Sequence, residues 1–153
     1  MSELSHLDAE GRLQMMDVSG KPVTRRVAEA SCRVLMSAAT VARLGSLPKG
    51  DAFAVARLAG IQGAKRTAEL VPLAHPLPLD QVEVDLVPAE GGVEIRSRVV
   101  VTARTGAEME ALVACSTAAL ALYDMVKAVE RGAVVTDLRL ETKAGGKSSA
   151  WQQ

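Results

Sequence analysis

The sequence predicts an α+β fold, a ferredoxin-like βαββαβ sandwich in which helices cover one face of an antiparallel sheet. Three observations lead there. Apolar residues alternate over Val27–Met36, and again on both sides of the turn at Glu90-Gly-Gly, the pattern of half-buried strands. Two long stretches, from Asp51 to just before Pro72 and from Thr105 to Gly132, have helical periodicity instead. A last alternating run, Val134–Leu140, supplies a fourth strand.

Met1–Gly11 is polar with weak periodicity, and Arg12–Val18 is read with it as an arm. In the first strand Ala28, Ala30, Cys32, Val34 and Met36 share one face, with Glu29, Ser31 and Arg33 on the other. Ser37 can cap a short extra helix through Leu44, closed by Gly45. Asp51 is the N-cap expected for the next helix. That helix holds Ala52, Ala54, Ala56, Ala59, Gly60, Gly63 and Ala64, a run of small residues that lowers helix propensity and implies close approach of another backbone. Val71–Leu79 is a loop stiffened by three prolines around His75. Val82–Leu86 and Val93–Ala103 then form a hairpin. Valines on both sides of the strand at Val99, Val100 and Val101 argue for a partner on the open sheet face, and hence an oligomer.

The Thr105–Gly132 helix is apolar almost all round. Glu110, Ala114, Thr117, Ala121, Asp124 and Ala128 lie within about 40° of one line, with Lys127 roughly 60° beyond Asp124. Charged side chains on such a helix are costly unless paired or used. An Asp124/Lys127 ion pair at i,i+3 spacing is the structural alternative.

A chain of 153 residues with 48% hydrophobic content suits one domain, 1–153, with 1–11 and 143–153 as flexible arms. Eighteen basic and eighteen acidic side chains cancel, so no global field draws it to nucleic acid or a membrane. No apolar run approaches the roughly 20 residues needed to span a bilayer. Cys32 and Cys115 lie in apolar segments and nothing at the N-terminus reads as a signal peptide, so a reducing cytoplasm is expected. His6, His75 and the two cysteines lack zinc-ligand spacing, and no metal is expected. The tail Lys143-Ala-Gly-Gly-Lys147 resembles a phosphate loop, but the glycine required five residues before Gly146 is Glu141, and a P-loop is rejected. What the chain offers is an acid–base set of His75, Glu108, Glu110, Asp124 and Lys127, with Lys49, Lys143 and Lys147 to neutralise phosphate. Glu108 lies about 160° from Asp124 around an ideal helix, so the two can meet only through a frayed first turn or across a subunit boundary.

These residues carry a resemblance. Met16-Asp-Val-Ser19, Lys49-Gly-Asp51, Ala59-Gly-Ile-Gln-Gly-Ala-Lys-Arg-Thr67, Leu70-Val-Pro-Leu-Ala-His-Pro-Leu77, Thr105-Gly-Ala-Glu-Met-Glu-Ala111, Tyr123-Asp-Met-Val-Lys-Ala128 and Lys143-Ala-Gly-Gly-Lys-Ser148 together resemble the signature of the cyclic pyranopterin monophosphate synthase family, MoaC, of molybdenum cofactor biosynthesis. The resemblance runs from about Leu4 to Ser148. It implies a lyase that rearranges the triphosphate 3′,8-cyclo-7,8-dihydro-GTP to a pterin carrying a cyclic monophosphate, releasing diphosphate, with no cofactor. It also implies a homohexamer, a trimer of dimers, with active sites at a subunit interface.

Carried over by motif, Asp124 resembles the catalytic acid/base, with Lys127 and Lys49 as its cationic partners. Leu73, Ala74 and His75, with Met109 and Glu110, resemble the substrate-contacting segments, and Glu108, Lys143 and Lys147 further pocket residues. Many relatives have Cys where this chain has Ala74, so no thiol is needed there. Such chemistry would suit a carboxylate and a lysine shifted toward neutrality by burial and by each other. RNA readers share this element order, but the two hairpin strands carry no aromatic residue for base stacking. A regulatory ligand-binding domain would need no acid and lysine together on a core helix, and an inactive scaffold would not need Lys49, Asp124 and Lys127 all intact.

Overall fold

The computed structural model describes residues 6–147 and 150–153. The start of the polar arm, Met1–Ser5, and Ser148 of the tail motif lie outside the described residues.

The elements follow the predicted order. Strand β1 (Thr24–Leu35) is followed by the short helix α1 (Ala38–Ala42), a 3-10 turn at Leu44–Ser46, helix α2 (Ala52–Lys65), the single turn α3 (Thr67–Leu70), the hairpin β2 (Leu79–Ala89) and β3 (Gly92–Ala103), helix α4 (Glu108–Val126) and strand β4 (Val134–Ala144). A two-residue strand β5 (Trp151–Gln152) is added at the end. The sheet order is β2-β3-β1-β4-β5, antiparallel throughout, and its first four strands have the ferredoxin-like order. β1 and β3 pair without interruption from Thr24↔Ala103 to Leu35↔Gly92, so the strand pair at the sheet's centre is its most regular part.

Local chemistry fixes the helix starts. Ser37 accepts from the Thr40 amide and Asp51 from those of Phe53 and Ala54, each satisfying N–H groups that a first turn leaves free. α2 and α4 lie side by side on one sheet face. The small residues of α2 serve that contact, since a methyl on Gly60 would sit 2.9 Å from the Ala114 carbonyl oxygen and one on Gly63 would sit 2.9 Å from Thr117 Cβ. Ala28, Ala30, Cys32 and Val34 of β1 meet Ala111, Ala118, Ala119 and Leu122 of α4 in the same aliphatic core. By length and composition α4 could cross a bilayer, but more than half of it is buried inside the chain, the place of a core helix.

Three expectations are corrected. The tail does not leave the body at Lys143: β4 runs on to Ala144, and β5 pairs with Thr142 and Lys143. The long helix is confined to Glu108–Val126, with Thr105 to Ala107 before it and a turn after it. The helix expected to reach Pro72 is broken at Arg66, whose φ and ψ are −108° and 12°. Val100, on the open face, is 4% exposed in the single chain, so the valine run does not by itself demand a partner. That face is charged: Arg98 bridges Glu29 and Glu83 at 3.4 and 3.9 Å, and Arg139 pairs with Glu141 at 2.8 Å.

Candidate active site

The predicted site residues fall into two clusters at opposite ends of α4. At the C-terminal end, Asp124 stands between two ammonium groups. Lys127, which caps the helix, reaches Oδ1 at 2.7 Å, and Lys49, from the turn before α2, donates to Oδ2 and to the Asp124 carbonyl oxygen, both at 2.9 Å. The hydrogen bond from Lys127, then that from Lys49, holds the Asp124 carboxyl down at about 2. This reverses the expected shift toward neutrality. The Asp124 side chain is 54% exposed, so ion pairing rather than burial sets its charge.

The N-terminal end opens on a cleft of about 560 Å³, lined among others by Lys21, Arg26, His75, Arg104, Glu108 and Lys147. Four of these are cationic side chains against one carboxylate. Arg26 is fixed by donating to the carbonyl oxygens of Ala103 and Arg104 at 3.2 and 3.0 Å. Lys143 donates to Glu108 at 3.1 Å and ties β4 to the helix start. Gly145 and Gly146, at φ +96° and +83°, then carry the chain past Arg26 so closely that a side chain on either would collide with residues 25–26. Lys147 is thereby delivered to the cleft.

Glu110 lies two residues beyond Glu108, 4% exposed, against a separate small cavity shared with Lys65, Arg66 and Pro76. Burial, with a smaller push from the charge of Glu108, raises its carboxyl to about 7. Met109 is exposed, and Leu73 and Ala74 are half-buried in the His75 loop without reaching the cleft. Cys32 and Cys115 are both buried, Cys32 Sγ lies 3.5 Å from the Cys115 carbonyl oxygen, and the neighbouring Cys115 side chain together with burial pushes the Cys32 thiol far up, which suits core residues rather than nucleophiles.

The helix rise decides how the clusters relate. Sixteen residues separate Glu108 from Asp124, about 24 Å along the axis at 1.5 Å per residue. A single chain therefore keeps His75, Glu108 and Lys147 away from Lys49, Asp124 and Lys127. Periodicity had put Glu108 on the wrong side of the helix; the axial distance separates it more decisively.

Sequence reading missed Lys21, Arg26 and Arg104. The arm, the start of β1 and the end of β3 contribute one cation each, and no spacing rule connects residues brought together only by sheet pairing. The one signal was the position of Lys21 and Arg104 beside the motifs Met16–Ser19 and Thr105–Ala111, and nothing marked Arg26.

Fold and site together define a ferredoxin-like α+β protein with a cleft of four cationic side chains at one end of a core helix and an acid held between two lysines at the other. The MoaC family model matches residues 15–146. The chain is 56% identical over 152 residues to the cyclic pyranopterin monophosphate synthase of Streptomyces avermitilis, covering 98% of this chain and 89% of the relative. It is 54% identical to that of Cereibacter sphaeroides, covering 99% and 98%, and 52% identical to that of Thermomicrobium roseum, covering 100% and 95%. The chain belongs to the MoaC family.

Proposed function

We propose that this protein converts 3′,8-cyclo-7,8-dihydro-GTP to cyclic pyranopterin monophosphate and diphosphate, and that each active site is completed by a second copy of the chain. The observation that carries this reading is the separation of the cationic cleft from the Lys49–Asp124–Lys127 cluster by about 24 Å of one helix. A purine-sized triphosphate has to meet both functions at once, and a neighbouring chain that brings its Asp124 end to the cleft supplies the geometry. A homohexamer arranged as a trimer of dimers satisfies that requirement.

In this reading the cleft takes the triphosphate. Lys21, Arg26, Arg104 and Lys147 offset its charge, and the free N–H groups of the first turn of α4, whose N-cap Ala107 has no side-chain cap, add a favourable dipole end. Closure of the cyclic phosphate joins a ribose hydroxyl oxygen to the α-phosphorus and breaks the bond to the β-phosphate bridge. The same cations stabilise the departing diphosphate. Rearrangement of the purine-derived ring needs protons moved at several atoms. Lys49 and Lys127 are the donors, and Asp124, ionised across the neutral range, holds them together and takes a proton when one of them has given its own to substrate. Glu110, with a carboxyl that titrates near 7, is a second group able to give or take a proton.

The test is turnover of the cyclised dihydro-GTP, followed as pterin and diphosphate formation, by wild type, Asp124→Asn and Lys127→Ala. Formation by wild type and its loss in both variants, at unchanged assembly size, is the expected result. Equal rates in all three would make the pair structural and sink the reading.

A further inference from the structure

The arm ahead of β1 is held to the body in an unusually sparse way. Among the described residues, the one hydrogen bond joining residues 6–23 to the rest of the chain runs between His75 Nε2 and the Met16 carbonyl oxygen, at 2.8 Å. A carbonyl oxygen only accepts, so Nε2 carries the proton and its tautomer is set. Met16 is in turn the anchor of a small closed unit. Its sulfur lies 3.3 Å from Lys21 Nζ, the Lys21 amide donates to the Val18 carbonyl oxygen at 3.0 Å, and the Ser19 amide donates to Asp17 Oδ1 at 2.8 Å. Met16, Lys21 and His75 all line the cationic cleft.

We propose that His75 is a positioning residue whose Nε2–H pins Met16 and thereby sets Lys21 against the polyphosphate, an inference that rests on reading the cleft as a polyphosphate site. An imidazole N–H on a loop stiffened by three prolines grips one end of the arm unit, and the ammonium at the other end meets the ligand. Nε2, committed to a backbone oxygen, moves no proton in catalysis. Only Nδ1 stays free for a ligand. A lysine on an unpinned arm would bring the same charge at a higher ordering cost, because its backbone as well as its side chain would have to be immobilised on binding.

The experiment measures inorganic triphosphate binding by calorimetry to the full chain as wild type, His75→Ala, His75→Gln, Lys21→Gln and the double variant His75→Ala/Lys21→Gln. Glutamine can place an N–H where Nε2 lies but has no ring to titrate. Lys21→Gln and His75→Ala each weaken binding about tenfold, the scale of one charge-assisted contact. His75→Gln stays within about threefold of wild type, and the double variant is no weaker than Lys21→Gln, because both act through one contact. A roughly hundredfold loss in the double variant, or a His75→Gln as weak as His75→Ala, overturns the inference. Amide hydrogen exchange of residues 16–21 without ligand gives a separate reading: faster in His75→Ala and unchanged in His75→Gln if the latch exists, equal in all if it does not. Wild type that shows this exchange pattern but binds no triphosphate would refute the polyphosphate reading and with it the role of the latch in binding.

Discussion

Replacing Glu110 with Gln should make the protein more stable at neutral and alkaline pH, and the size of the gain follows from one carboxyl. Glu110 is 4% exposed, and burial raises its carboxyl from an ordinary 4.5 to about 7. Below pH 4.5 folded and unfolded chains both hold the proton. Between 4.5 and about 7 only the folded chain does, so stability falls as pH rises through that window and levels off above it. The gap corresponds to about 3 kcal/mol in all, of which roughly 2–3 kcal/mol is lost between pH 5 and 8. Glutamine has nearly the same shape and cannot ionise, so Glu110→Gln lacks this fall. Denaturant unfolding of both proteins at pH 5 and pH 8 reads it directly, since the difference in unfolding free energy between variant and wild type should move in favour of the variant by about 2–3 kcal/mol. A difference that stays constant with pH to within about 0.5 kcal/mol would refute the argument that burial of this carboxyl outweighs its one backbone hydrogen bond.

Other consequences can be checked as simply. Gly63→Ala should destabilise by about 1–3 kcal/mol, because the new methyl would meet Thr117 Cβ at 2.9 Å whatever the Thr117 rotamer; Gly45→Ala, with nothing within 4 Å, is the control in chemical unfolding. Lys49→Met removes one of the two ammonium groups at Asp124, so carboxyl-carbon NMR should find Asp124 titrating above about 2 and still below 3.8 while Lys127 remains; an unmoved titration would mean that Lys49 does not touch Asp124 in solution.

The parts legible in the sequence were those set by neighbours along the chain. Ser37 and Asp51 announced their caps, the two alternating runs around Glu90-Gly-Gly announced the hairpin, and the glycines of α2 announced the close helix pair. The parts that were not legible depend on tertiary placement. Arg139–Ala144 is mostly polar because its outward side chains join an ion-paired open face, and Asp137, at φ 56°, sits in the irregular stretch of the β1–β4 pairing, so the apolar alternation lapses before the strand does. Asp124 was placed correctly on its helix, with Lys127 beside it, but it lies on an outer face of a last turn whose Leu122, Met125 and Val126 stay buried, and pairing with two exposed lysines reversed the expected direction of the carboxyl's shift. The cleft could not be read at all from spacing, since Lys21, Arg26, Arg104 and Lys147 come from four separate segments.

The claim on which the account turns is that cleft and Asp124 cluster meet across two chains. Mixing inactive Asp124→Asn chains with an inactive cleft variant, Arg104→Ala/Lys147→Ala, and reassembling them tests it. Random pairing in a two-fold dimer gives mixed pairs half the time, each with one intact and one doubly altered site, so turnover of the cyclised dihydro-GTP should return to about one quarter of wild type. A reassembled mixture no more active than its two parents would show that each chain works with its own residues, and would contradict the account.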